Sequence, residues 1–238
     1  LVKETRLYVD DLIRPIFVTH CNKRQTIESM PGQFHFPLDE IEKTTEESMK
    51  LGIKGIVLFG IPERKDETGS DTINENGIVQ QAVRKLRESF PELIIVTDAC
   101  FCQYTTHGHC GILDENGSID RTVSLKQLQE QALSHANAGV DFVAPSCMID
   151  GMVQYIRKAL DDKGYEDRGI ISYAVKYASA FYGPFRDAVN SVPRHGDRKS
   201  YQLDPGNIRD SLNEAQIDVD EGADIVMIKP ALPYLDII

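Results

Sequence analysis

No apolar run in this chain approaches the roughly 20 residues that a membrane-spanning helix needs. The longest, Gly55-Ile56-Val57-Leu58-Phe59-Gly60-Ile61, falls far short, so a membrane is not expected as a partner. Positive charge is also scarce. Against 37 Asp and Glu stand 26 Lys and Arg, a net charge of −11, and that excess repels the phosphates of DNA and RNA at long range. Nucleic acid is therefore not expected either. The opening Leu1-Val2-Lys3-Glu4-Thr5-Arg6 has neither an initiator Met nor an apolar h-region, so no secretory signal is recognisable and the natural N-terminus is expected upstream. Cysteines number 5 in 238 residues, an odd count in a chain too large to need staples, which points to a reducing cytoplasm. Also missing after the first apolar run is the Gly-x-Gly-x-x-Gly turn of a dinucleotide-binding half.

What is present is core material, 41% hydrophobic residues, arranged in short continuous runs. They are Leu12 to Val18, Gly55 to Phe59, Leu93 to Thr97, Asp141 to Pro145, Gly169 to Tyr173 and Asp224 to Ile228. Continuous rather than alternating runs are expected of parallel strands buried on both faces. Between them Leu125, Leu128, Ala132, Leu133 and Ala136 recur at helical spacing behind Ser124…Gln127, which reads as a capping box. Ile208, Leu212, Ala215 and Val219 form a second stripe, and Leu38, Ile41, Thr45 and Met49 a weaker third, opened by Asp39. Three times a glycine separates helix from strand: Leu51-Gly52-Ile53, Ala138-Gly139-Val140 and Glu221-Gly222-Ala223. Each is predicted to end its helix in the left-handed conformation that glycine adopts without strain.

This punctuation predicts an α/β fold, and a (β/α)8 TIM barrel is favoured over a doubly wound sheet. Only six strands are legible where closure needs eight, so the last strands are expected beyond Ile238. No linker or change of composition divides residues 1–238, which read as a single domain, and the stretch from Gly183 to Gly206 reads as a long loop.

Three groups of residues carry possible chemistry. Asp98-Ala99-Cys100-Phe101-Cys102-Gln103-Tyr104-Thr105-Thr106-His107-Gly108-His109-Cys110 follows the third strand, at the end where barrel sites are built. Thiolates are soft zinc ligands, and three of them leave a fourth tetrahedral position open for water or substrate. The plainer reading is three reduced thiols without metal. His107 and His109 read as hydrogen-bonded loop residues, and Cys21 and Cys147 as small hydrophobes. Next, Lys229 closes an apolar strand, where desolvation can leave an amine neutral enough to form a Schiff base; snorkelling to solvent is the alternative. Lys176 ends the preceding strand in the same way, and two such cations would depress each other's pKa. Last, Arg186 and Arg198 lie on Gly-containing loops able to clamp a carboxylate, although composition alone would favour an ordinary solvated basic loop.

Six blocks together resemble one family. Ser29-Met30-Pro31-Gly32, the Asp98 to Cys110 loop, Ser172-Tyr173-Ala174-Val175-Lys176-Tyr177-Ala178-Ser179, Phe181-Tyr182-Gly183-Pro184-Phe185-Arg186, Gly196-Asp197-Arg198-Lys199-Ser200-Tyr201-Gln202 and Met227-Ile228-Lys229-Pro230-Ala231 occur in family order. In them the chain is similar to the delta-aminolevulinic acid dehydratase (porphobilinogen synthase) family. That resemblance implies a TIM barrel condensing two molecules of 5-aminolevulinate to porphobilinogen with loss of two waters, in tetrapyrrole (heme) biosynthesis. It implies that Lys229 forms the Schiff base, that Lys176 engages the second substrate, and that Cys100, Cys102 and Cys110 hold a catalytic zinc. Arg186, Arg198 and Gln202 match substrate-carboxylate positions, while Asp98, Ser146, Tyr182 and Phe185 match further pocket positions. Glu214 matches the support of an allosteric Mg2+, although by itself it reads as part of a solvated helix face. A homo-octamer is implied, with most of the N-terminal arm and the serine and tyrosine of the other carboxylate site expected outside this chain. Rival readings are a class I aldolase, a zinc hydrolase using His107 and His109, and a subunit without activity.

Overall fold

The computed structural model describes residues 2–238, so Leu1 of the opening stretch lies outside it. All six anticipated strands form. In chain order they are β1 (Ile13–Thr19), β4 (Gly55–Ile61), β5 (Ile94–Ala99), β6 (Phe142–Pro145), β7 (Gly169–Lys176) and β8 (Ile225–Lys229), joined by the unanticipated β2 (Gln25–Thr26) and β3 (Phe34–Pro37). The sheet order is β2-β3-β1-β4-β5-β6-β7-β8, and every neighbouring pair is parallel except β2 with β3. The helices are α1 (Ile41–Lys50), α2 (Ile78–Ser89), α3 (Arg121–Ala138), α4 (Met152–Asp162), α5 (Gly183–Ala188) and α6 (Ile208–Asp220). β2 and β3 leave no clear sequence signal, because a short hairpin leg such as Phe34-His35-Phe36-Pro37 has no long apolar run to announce it.

Side-chain alternation explains the continuous runs. Ile16, Val18, Ile56, Leu58, Ile95 and Val143 point outward into the layer formed with α2, α3 and α4. Their neighbours Phe17, Phe59, Val96 and Ala144 point inward. Both faces are buried, and each large side chain so buried is worth about 1.5–3 kcal/mol. The sheet is strongly rolled. β4 and β8 are four strand steps apart, about 19 Å on a flat sheet, yet the Lys229 ammonium lies 6.0 Å from the Phe59 ring. Such curvature belongs to an α/β barrel with the inward face as its lumen.

The three glycine turns form as anticipated, with φ of 92° at Gly52, 108° at Gly139 and 105° at Gly222. Other local expectations need correction. α3 starts earlier than its apolar stripe, because Asp120 caps it by accepting from the Val123 amide at 3.0 Å. Ser124 is therefore not a cap, and its hydroxyl instead accepts from the Ile112 amide. Nor is the stretch from Gly183 to Gly206 wholly loop, since it opens with α5. α6 begins behind Asn207, whose side chain accepts from the Asp210 amide. No helix among the described residues is long and apolar enough to cross a membrane.

Candidate active site

The C-terminal ends of β5, β6, β7 and β8 converge with α5 on a cavity lined by Asp98, Cys102, Ser146, Lys176, Tyr182, Phe185, Arg186, Arg198 and Lys229. Of the side chains singled out from the sequence for substrate, only Gln202 is absent from this lining; it lines a neighbouring cleft.

Lys229 stands in an aromatic box. Its nitrogen is 4.2 Å from the centre of the Phe185 ring, 4.9 Å from Tyr173, 5.9 Å from Tyr182 and 6.0 Å from Phe59. Tyr182 also fixes the strand end, its hydroxyl donating to the Lys229 carbonyl at 2.7 Å. Ring faces favour the ammonium, but loss of hydration outweighs them. Burial, followed by the charge of Lys176, brings the Lys229 pKa down to about 8. A lysine so placed is partly neutral at physiological pH.

Lys176 behaves differently. It is 7% exposed, it donates to the Ser146 carbonyl at 2.5 Å, and its ammonium lies 5.5 Å from the centre of the Tyr173 ring. Burial acts to lower its pKa, yet Cys110, Cys100 and Cys102, in their ionised form, raise it above the ordinary lysine range. Mutual depression of the two lysines therefore holds for Lys229 only. Ser146 serves here through its backbone.

All three anticipated thiols are buried, and their sulfurs lie within 4.8 Å of one another. Cys100 and Cys102 sulfurs are 3.5 Å apart, close to the roughly 3.8 Å that two sulfurs span across a tetrahedral zinc. The donor set is soft, compact and dry, and it fits such an ion. Hydrogen bonds among the thiols act on Cys102 and Cys110 in both directions and burial adds to the rise, leaving both above the usual thiol range. Among the described residues no other group of three His, Cys, Asp or Glu meets the same spacing. Cys147 is buried as expected, whereas Cys21 is exposed and is no core residue.

The histidines are spoken for. His107 Nε2 lies 3.2 Å from the Glu67 carbonyl, and its Nδ1 accepts from the His109 amide. His109 contacts the Tyr201 hydroxyl through Nδ1 and the His195 carbonyl through Nε2. With each ring nitrogen engaged, the pair offers no ligand set for a zinc hydrolase.

Arg198 is 4% exposed and ties two loops together, its Nη2 donating to the Gly108 carbonyl at 2.8 Å and to the Ser191 carbonyl at 2.5 Å. Among the described residues its Nε and that of Arg186 are buried without a hydrogen-bond partner. Two such donors at one cavity are matched to an anionic group, because a buried N–H left unpaired is costly. Burial, then the charge of Arg198, lowers the Arg186 pKa.

Glu214 lines the separate cleft with Asp150, Asp204, Asp210, Asp218 and Glu221. Burial and then the neighbouring carboxylates raise its pKa, so it is a member of an acidic wall rather than a lone solvated residue. Three participants were not singled out from the sequence: Phe59, Tyr173 and Gln103. Phe59 was the most accessible of them, lying near the C-terminal end of a strand, where barrel sites are built.

The model of the family described as delta-aminolevulinic acid dehydratase matches residues 1–238. The chain is 52% identical over 239 residues to the delta-aminolevulinic acid dehydratase of Halalkalibacterium halodurans, covering 100% of this chain and 73% of that protein. To the Bacillus subtilis protein of the same description it is 50% identical over 238 residues, again covering 100% of this chain and 73% of the other. It also superposes with a TM-score of 0.96, at 41% identity, on the crystal structure of porphobilinogen synthase from Toxoplasma gondii in complex with its product porphobilinogen, covering 99% of this chain and 68% of that one. The chain belongs to the delta-aminolevulinic acid dehydratase family.

Proposed function

We propose that this chain condenses two molecules of 5-aminolevulinate to porphobilinogen, with release of two waters, through a Schiff base on Lys229. Family membership carries the overall reaction, and the Lys229 box supports the covalent step. Neutral Lys229 attacks the ketone carbon, forming a C–N bond. After proton transfer the former carbonyl oxygen leaves as water and the resulting iminium can stabilise an adjacent carbanion. The aromatic rings exclude water around the new C=N bond. Lys176, held by the Ser146 carbonyl, stays cationic beside the second substrate. Arg186 and Arg198 supply unpaired donors for a carboxylate, and Asp98 is placed to hold or accept a proton.

Cys100, Cys102 and Cys110 are the zinc ligands in this reading, and zinc bound there would polarise a substrate oxygen or amine as a Lewis acid. Glu214, among its acidic neighbours, is the support for a Mg2+ held chiefly through water. A single domain acting in the cytoplasm as a homo-oligomer, of octameric form by resemblance, completes the proposal.

The supporting observation is the lowered pKa of Lys229 inside its ring of aromatics. Borohydride added with 5-aminolevulinate is expected to leave a reduced adduct on Lys229 in peptide mapping. Product formation without modification of that lysine would overturn the mechanism.

A further inference from the structure

Gln103 is 1% exposed, and both ends of its amide are engaged inside the site. Its Nε2 donates to Asp98 Oδ2 at 2.9 Å, and its Oε1 accepts from the Cys102 thiol at 3.3 Å. Asp98 lines the cavity of Lys229, and its charge opposes the depression of that lysine. Cys102 belongs to the compact thiol group. One buried amide therefore touches both halves of the site.

An amide is planar, so its carbonyl and its NH2 rotate as a single body, and among the described residues Gln103 has no other hydrogen-bond partner for either end. The carbonyl end can hold Cys102 only while the sulfur donates to it. A sulfur bonded to a metal ion donates nothing, and the group able to meet it is an N–H. Turning an N–H toward the sulfur moves the donor that Asp98 now uses. We propose that Gln103 is a positioning residue joining the Cys102 sulfur to the Asp98 carboxylate, so that metal occupancy of the thiol cluster sets the orientation of the carboxylate beside Lys229. The inference rests on the metal and Schiff-base roles proposed above. Coupling of this kind is reciprocal: the ligand state at Lys229 alters metal affinity by the same factor by which metal alters substrate affinity.

The experiment measures trapping of 5-aminolevulinate on Lys229 by cyanoborohydride, at fixed pH, in zinc-free and zinc-loaded protein. For the wild type the trapping rates should differ by about 5-fold or more, the lower end of ordinary coupling between sites. In Gln103→Leu, which fills the same space without a donor or acceptor, the difference should shrink below about 2-fold while zinc uptake is retained. A merely structural role would lower thermal stability and leave the zinc dependence intact, and that result overturns the proposal. So does a wild type whose trapping ignores zinc. Should Gln103→Leu misfold, Gln103→Met carries the same expectation. The reciprocal measurement needs no variant: the zinc affinity of the wild type should shift when 5-aminolevulinate is present, and an unchanged affinity overturns the coupling. If the wild type takes up no zinc, or gives no adduct on Lys229, the proposed function itself fails, an outcome distinct from normal uptake and trapping without coupling.

Discussion

Lys176 and Lys229 are register partners at the ends of β7 and β8, and the site moves their pKa values in opposite directions. The difference comes from their neighbours. Burial acts to lower both, but at Lys176 the ionised forms of Cys110, Cys100 and Cys102 outweigh it, whereas at Lys229 the charge of Lys176 adds to it. One amine stays charged beside the other, which can shed its proton. A Schiff-base enzyme with two substrates needs that division between a nucleophile and a persistent cation.

The pKa of Lys229, brought to about 8 by burial and Lys176, predicts that kcat/KM rises with pH toward a midpoint near that value. A pH–rate profile measures it directly, and a limb already flat at pH 6 would contradict the assignment.

The same group affects stability. Its folded pKa is below its unfolded one, so the unfolded chain binds more protons between about pH 8 and 10.4, and stability should rise with pH through that window. Below it the native state bears the cost of the desolvated ammonium. Lys229→Met is therefore expected to stabilise the protein by about 1–3 kcal/mol at pH 7, allowing for the side chain's partial exposure, and to give no gain above about pH 10.5. Thermal unfolding at the two pH values tests the sign, and activity should be lost throughout.

Chelation is expected to abolish product formation and added zinc to restore it, because Cys100, Cys102 and Cys110 make a compact soft-donor group. Cys102→Ser should weaken zinc binding and lower activity with it, as read by metal analysis after dialysis. Full activity in verified metal-free protein would remove zinc from the mechanism.

Arg186 carries an unpaired buried Nε at the cavity. Arg186→Ala is expected to raise KM for 5-aminolevulinate about 10- to 100-fold, the worth of one or two charge-assisted hydrogen bonds, with a smaller change in kcat. Steady-state kinetics separates the two, and an unchanged KM would remove this arginine from substrate binding.

Asp218 on α6 accepts from the Ser172 hydroxyl on β7 at 2.5 Å, and burial, against that hydrogen bond, raises its pKa to about 6. Here the folded chain binds more protons between about pH 4 and 6, so this carboxyl's contribution to stability falls as pH rises through that interval. Asp218→Asn keeps an acceptor for Ser172 and should stabilise the protein by about 1–3 kcal/mol at pH 7, with no gain below about pH 4. Denaturant unfolding at the two pH values decides it.

Much of the scaffold was legible from short-range pattern. Continuous apolar runs announced β1 and β4 to β8, because a strand covered on both faces has no polar alternation to keep. Gly52, Gly139 and Gly222 announced helix ends because each requires a positive φ. Three cysteines within one loop and Lys229 closing an apolar strand were visible for the same local reason.

Tertiary structure alone decided how those groups meet. Between the pairs Ser172↔Val226 and Val175↔Ile228, β7 carries one residue more than β8, a bulge. Strict alternation would put Lys176 on the face opposite Tyr173, three residues earlier; the bulge re-aims it, so both face the lumen. The aromatic box unites rings from β4, β7 and the segment after β7, residues remote in sequence that only the rolling of the sheet brings to Lys229. The Gln103 bridge likewise needs a loop folded back on the end of β5. Periodicity reports what one segment does against water, whereas bulges, sheet curvature and side chains meeting across strands depend on the register of distant segments.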